Sequence, residues 1–236
     1  MGKRLRTQRR GKGFGHYLAP SHLRFTDAKY PKLSEATGVV EDIVKERGRI
    51  APLMFVNYGT LRTYLLAPEG MCVNQKVSIG PNSAIEAGNC IPVKKIPEGT
   101  LIYNIECKPR DGGKLVRTAG QSATIVSHGA YTVVLLPSGQ FKEIHPSCMA
   151  TVGIIAGGGH IDKPWAKAGK KFHAYQTKSG TYFHTSGVSM NPVDHPHGGG
   201  SHPHVGTQSS VSRHVPPGRK VGRLASKKRK VKKRVK

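Results

Sequence analysis

The chain has 236 residues, with 38 Lys and Arg against 13 Asp and Glu, a formal net charge of +25. Hydrophobic residues make up 36% and aromatics 6%, thin for one large core when an average soluble domain is nearer ~45–50% apolar. No apolar run approaches the about 18–20 residues of a membrane span, and a self-repelling chain of this charge calls for a polyanionic partner, nucleic acid foremost.

Taken in chain order, residues 1–33 read as a basic N-terminal extension with nine Lys and Arg and one acid. Its start, MGKRLRTQRRGKGFGHY, has no apolar stretch behind the charge, so no secretory signal is expected. Lys3, Arg4, Arg6, Arg9, Arg10 and Lys12 are candidate phosphate contacts.

Residues 34–160 hold twelve basic and ten acidic residues, a net +2, the balance of an ordinary folded body. Short β-rich runs recur there: GVVEDIVKE, a turn at Arg47-Gly48-Arg49, then IAPLMFVNY and TLRTYLL around Gly59, then KVSIG. The rhythm resumes after Asn89 with GTLIYNIEC, KLVRTAG, SATIVSH, AYTVVLLP, GQFKEIHP and CMATVGIIAGGG. His128-Gly129 and Pro137-Ser138-Gly139 are hairpin punctuation. Short strands with frequent turn signals predict two small β barrels, 34–82 and 83–160, with a seam between Gly80 and Gly88. A single sandwich over 38–160 is the alternative. Cys72, Cys90, Cys107 and Cys148 lack CxxC spacing and read as small buried hydrophobes in a reducing cytosol. Gly157-Gly158-Gly159 has no phosphate-loop context and reads as a hinge. Helix is expected at most over Ile161 to Lys170.

Residues 161–236 carry seventeen basic residues and two acids, a net +15, and Asp194 is the last acid of the chain. Such a segment cannot offset its own ordering entropy and is expected to fold against a polyanion. Lys167, Lys170 and Lys171 interleave with Phe172, His173, Tyr175 and Tyr182, a pairing suited to phosphate neutralisation and base stacking. The competing reading is a small core around Trp165, Phe172 and Tyr175. Arg213, Arg219, Lys220, Arg223, Lys227, Lys228 and Arg229 extend the candidate phosphate contacts to the tail. The run from Lys227 to Val231 also matches a nuclear import signal weakly.

Eight of the twelve histidines lie between His160 and His214, and the densest stretch is MNPVDHPHGGGSHPH, residues 190–204. Three readings compete for it. Histidine is a frequent metal ligand, but His-Pro-His spacing orients two rings poorly for one ion. Asp194 could orient His195 or His197 for catalysis with Ser186, Ser189 or Ser201, yet no nucleophile elbow surrounds them. An extended loop threaded into RNA uses every residue type present. Gly198, Gly199 and Gly200 admit close backbone approach, the prolines lower the ordering cost, and the His rings stack or donate to phosphate and 2′-OH groups. On that reading Met190, Asn191, Asp194, His195, His197 and the three glycines are RNA-binding residues.

Here the sequence resembles the universal L-two family of large-subunit ribosomal proteins, archaeal type. GVSMNPVDHPHGGGSHPHVG carries the resemblance, with Leu65-Leu66-Ala67-Pro68-Glu69-Gly70, Gly88-Asn89-Cys90-Ile91-Pro92-Val93, Ile96-Pro97-Glu98-Gly99-Thr100, Lys108-Pro109, Gly112-Gly113-Lys114-Leu115 and Ala119-Gly120 in order. AGGGHIDKPWAKAGKKFH is similar to the archaeal and eukaryotic branch, and Ser201-His202-Pro203-His204 departs from the bacterial pattern. The resemblance implies a mainly β fold: an oligonucleotide-binding (OB) type barrel at 34–82 and an SH3-like barrel at 83–160, between irregular basic extensions at 1–33 and 161–236. It implies a non-enzymatic structural constituent of the large subunit, a primary rRNA-binding protein that supports rRNA folding near the peptidyl-transferase region. Subunit association, tRNA binding and peptide-bond formation are the processes it would support. Small-subunit rRNA at the subunit bridge is a candidate contact, neighbouring ribosomal proteins are further partners, and the ribosome of the cytoplasm is the location. No membrane, small-molecule substrate or cofactor is implied, and any structural Mg2+ would be shared with rRNA. The alternatives from other classes are a nuclear or chromatin DNA-binding protein with a basic tail and a His-rich metal-dependent hydrolase.

Overall fold

Alternation of buried and exposed residues in the middle of the chain builds one long β ladder. The computed structural model describes residues 2–13 and 15–226 and divides the chain into two compact units, 21–168 and 1–20 with 169–236.

In the first of these units the strands are β1 (Ala36–Val44), β2 (Leu53–Asn57), β3 (Arg62–Leu66), β4 (Lys76–Ile79), β5 (Cys90–Pro92), β6 (Leu101–Tyr103), β7 (Ala123–Ser127), β8 (Thr132–Leu135), β9 (Phe141–Ile144) and β10 (Met149–Val152). They form one ten-stranded sheet in the order β3-β2-β1-β4-β5-β10-β6-β7-β8-β9. The pairings are antiparallel except β4 with β5, which meet in parallel at Ile79 and Cys90. The fold is mainly β, an OB-type barrel followed by an SH3-like barrel, and the expected seam at 80–88 connects those two parallel strands.

Each half has its own core. Val40, Met54, Val56, Leu65, Val77 and Ile79 fill the first; Ile91, Val93, Ile102, Ile125, Val134, Ile144 and Ala150 fill the second. Each half also carries one β-bulge, beside Val40 on β1 and beside Ile125 on β7, where the extra residue increases the twist that small barrels need. A third cluster of Ala28, Ala51, Leu53, Leu66, Tyr103, Ala119 and Ile155 draws on both halves and on the segment before β1. Small barrels bury too little surface to be robust alone; a shared ladder and a shared core answer that deficit.

The segment before β1 is locked in by polar groups as well as by Ala28. The Tyr30 hydroxyl donates to the Asn104 carbonyl at 2.7 Å and lies 2.6 Å from the Thr151 hydroxyl. Fully buried Glu46 accepts the Phe25 and Thr26 N–H groups at 2.6 and 3.3 Å and pairs with Arg49 at 3.0 Å. Arg117 donates to the carbonyls of Gly113, Asp27 and Ala28. Buried Glu106 accepts the N–H groups of Arg110, Gly112 and Met149 and shapes the loop at 107–113.

Several local expectations change. KLVRTAG is not a strand: Val116 sits at φ 51°, in the left-handed region that a β-branched residue avoids, and only an isolated bridge joins Ile105 to Leu115. Cys90–Pro92 is a strand that its three residues were too few to announce. Cys90 and Cys148 are buried, as expected for small hydrophobes, with burial pushing the Cys90 thiol well up, but Cys72 is exposed and Cys107 half-buried.

In the unit of 1–20 and 169–236 the elements are α1 (Arg6–Lys12), α2 (Ala168–Gln176, whose first residue closes the other unit) and a two-residue parallel pair, β11 (Ser210–Val211) with β12 (Arg223–Leu224). Helix α1 had no apolar periodicity to signal it. Arg6, Gln8, Arg9 and Arg10 are good helix formers that outweigh Thr7 and Gly11, and Arg9, Arg10 and Lys12 lie in the last turn where cations favour the dipole. The Gln8 side chain accepts the Leu5 N–H at 2.8 Å, and Gly13 closes the helix in the left-handed conformation. Helix α2 lies further along than the expected 161–170, because Pro164 restricts the residue before it and Ala166 is left-handed at φ 61°.

Candidate nucleic-acid interface

The loop at 186–204 folds on its own backbone. The N–H groups of Asp194 and His195 both donate to the Asn191 carbonyl, at 3.0 and 3.1 Å. Gly198 N–H donates to the His195 carbonyl at 2.9 Å, and Gly199 N–H to the Met190 carbonyl at 3.1 Å. The glycines permit this tightness. A Cβ on Gly198 would collide with the Asn191 carbonyl, and one on Gly199, at φ 87°, would come within 2.6 Å of the Pro192 ring. Gly187 lies flat against the His195 imidazole, where a Cβ would overlap the ring.

His195 is held in one state. Its Nδ1 accepts the backbone N–H of His197 at 3.0 Å, so the neutral ring carries its proton on Nε2, which points a donor away from that bond. Partial burial, reinforced by His197, lowers its pKa below the ordinary imidazole value. The two rings meet edge-to-face at 5.0 Å. In the second His-Pro-His pair, His204 Nδ1 lies 2.7 Å from the His202 carbonyl. Val188, Ser189, Met190, Asn191, Gly199, Gly200, Ser201, His202 and Pro203 line an open concavity on this loop.

Among the described residues Asp194 has no hydrogen bond to a histidine. It pairs with Lys3 at 2.8 Å, and the Lys3 N–H donates to the Val193 carbonyl at 2.9 Å. This stitches the N-terminal arm to the loop and neutralises the only acid in the unit, which by sequence holds 21 Lys and Arg. Sequence reasoning had placed Lys3 and Asp194 in separate arms and missed the pair, although a lone acid in a polycationic region was the signal for it. Among the described residues no group of three or more His, Cys, Asp or Glu stands together as a metal-binding cluster.

The other expected contacts are mostly spread over the surface. Arg4, Arg9, Arg10, Lys12, Lys167, Lys170, Arg213, Arg219 and Arg223 are exposed, while Arg6, Lys171 and Lys220 are half-buried. Lys227, Lys228 and Arg229 lie outside the described residues. The rings Phe172, Tyr175, Tyr182 and Phe183 gather in one cluster. Trp165 is 49% exposed and pairs with no ring among the described residues.

The family model for Ribosomal Proteins L2, C-terminal domain, matches residues 86–229. The chain is 47% identical to large ribosomal subunit protein uL2 of Methanothermobacter thermautotrophicus over 235 residues, covering 96% of this chain and 98% of that protein. The chain belongs to the archaeal-type uL2 family. The uL2 protein of Methanocaldococcus jannaschii is 47% identical over 242 residues, covering 99% of this chain and 100% of that one. That of Methanococcus maripaludis strain C6 is 48% identical, with 96% and 98% covered. The uL2 match spans both barrels and both arms, so the resemblance carried by MNPVDHPHGGG extends to the chain as a whole.

Proposed function

We propose that the chain is a non-enzymatic structural constituent of the large ribosomal subunit that binds large-subunit rRNA through its basic unit. The observation that carries this is the charge of that unit: 21 Lys and Arg against one acid by sequence, with that acid already paired to Lys3. By sequence no further acid of the unit balances that charge, and RNA phosphate does so with release of counterions. The loop at 190–200 supports a threaded role. Its backbone turns use glycine where a side chain would collide, and His195 offers Nε2–H as a neutral donor to phosphate, 2′-OH or base acceptors.

On this reading the barrels supply a rigid body and the arms fill gaps between RNA helices near the peptidyl-transferase region. Subunit association, tRNA binding and peptide-bond formation are then supported through the RNA. Any Mg2+ involved is shared with phosphate, and contact with small-subunit rRNA belongs to the same surface chemistry. The location is the cytoplasmic ribosome.

The test is binding of the full chain, at one fixed salt concentration, to a structured large-subunit rRNA fragment and to duplex DNA of matched length. Clear preference for the rRNA is expected; equal affinity would favour a DNA-binding protein.

A further inference from the structure

We infer that Phe183 is a stacking platform for an unpaired RNA base, braced by neighbouring rings and served by lysines for the adjoining phosphates. This rests on the RNA-binding reading above and adds a site and a nucleotide class to it.

Phe183 is 74% exposed, an unusual position for a phenyl ring on a polycationic surface. It is nevertheless well supported. Tyr182 meets it at 4.8 Å and Phe172 at 6.2 Å, while Tyr175 backs Tyr182 at 5.3 Å. Phe172 and Tyr175 are three apart on α2 and so share a face. The segment carrying Phe183 is tied to the N-terminal arm at two points. Gly180 N–H donates to the His16 carbonyl at 2.7 Å, and the Arg6 guanidinium donates to the Phe183 carbonyl at 3.5 Å. Little ordering is left to be done on binding, the condition under which an exposed ring contributes most.

The cations show which face is free. Lys171 Nζ sits 5.8 Å from the Tyr182 ring centre and Lys178 Nζ 5.6 Å from that of Tyr175. No such cation covers Phe183 among the described residues, and the ring stays 74% exposed beside its aromatic neighbours, which leaves room for a stacked base. An apolar protein partner would strip water from Lys171 and Lys178 without supplying an anion. A single-stranded nucleotide supplies a flat base for the ring and a phosphate for the ammonium groups. Duplex RNA keeps its bases stacked within the helix and offers only the phosphate.

The experiment compares the full chain and its variants on a single-stranded RNA oligonucleotide and an RNA duplex of equal length, each over a salt series. Phe183→Ala is expected to weaken single-strand binding roughly 5- to 150-fold, the range of one base–aromatic stack. Its salt slope and its duplex affinity should stay unchanged. Lys171→Ala with Lys178→Ala should instead flatten the slope. Phe183→Trp should keep the affinity, and its fluorescence should be quenched by RNA beyond whatever the wild-type Trp165 signal shows. If the wild type binds the single strand and Phe183→Ala binds it equally well, the platform is overturned and a protein-facing role for the ring takes its place. If the wild type binds neither RNA, the RNA-binding reading fails first and the platform falls with it.

Discussion

His195 shows how single atoms set the chemistry of the loop at 186–204. Its Nδ1 is used to hold the His197 N–H, and partial burial lowers its pKa, so the folded loop binds fewer protons than the unfolded chain. The sign follows: the loop's stabilisation is complete above the ordinary imidazole range and is lost as pH falls through the window between that range and the lower folded value. An NMR titration of the His195 ring should therefore give a midpoint below the ordinary imidazole value; a midpoint at or above it would contradict the buried-acceptor geometry. Gly199 makes the complementary point for the backbone. At φ 87° and against Pro192, a valine there is strained whatever its surroundings, so Gly199→Val should impair incorporation into large subunits with no change in net charge. Sedimentation of ribosomal particles from cells expressing the variant measures this, and normal incorporation would mean that the loop tolerates a different path.

Among the elements, the start of the segment ahead of β1 is clasped by one buried carboxylate. Glu46 has no exposed side-chain surface, and it holds the Phe25 and Thr26 N–H groups together with Arg49. Glu46→Ala leaves a largely buried guanidinium and two N–H groups without their partner. A loss of about 3–5 kcal/mol in unfolding free energy is expected, the usual cost of removing one member of a buried pair. Urea denaturation of the full chain checks it; a loss below about 1 kcal/mol, the level of an exposed pair, would show that Ala28 and Tyr30 anchor the segment unaided. The helices behave differently. Neither α1 nor α2 has a buried residue, so both depend on caps, composition and local contacts rather than on a packed apolar face.

Over the whole molecule, charge and apolar surface are segregated. The unit of 21–168 holds 17 Lys and Arg against 12 acids, a net +5, and the three hydrophobic clusters; the other unit holds a net +20 by sequence. Residues 223–236 contribute nine of those basic residues. Their deletion should weaken rRNA binding and flatten the salt dependence of affinity by about 0.7–0.9 log units for each phosphate the tail would have neutralised. Titration of binding over a salt series reads both effects, and an unaltered slope would make the tail a bystander.

Much of this was legible in the residues themselves. Alternating β-branched runs and hairpin punctuation specify most of the strands, because side-chain period and turn chemistry are local. Charge partition and the MNPVDHPHGGG stretch point to RNA and to the family for the same reason: composition and motif need no third dimension. What only the tertiary structure decided depends on groups far apart in the chain. The Lys3–Asp194 pair, the Glu46 clasp on residues 25 and 26, the core built around Tyr103 and the tie of Arg6 to the Phe183 carbonyl all join segments that no periodicity relates. KLVRTAG failed as a strand on the same ground. Its pattern suits β structure, but the Arg117 side chain donates to the carbonyls of Asp27 and Ala28 some ninety residues earlier, and left-handed Val116 accepts the Asn104 N–H on its carbonyl.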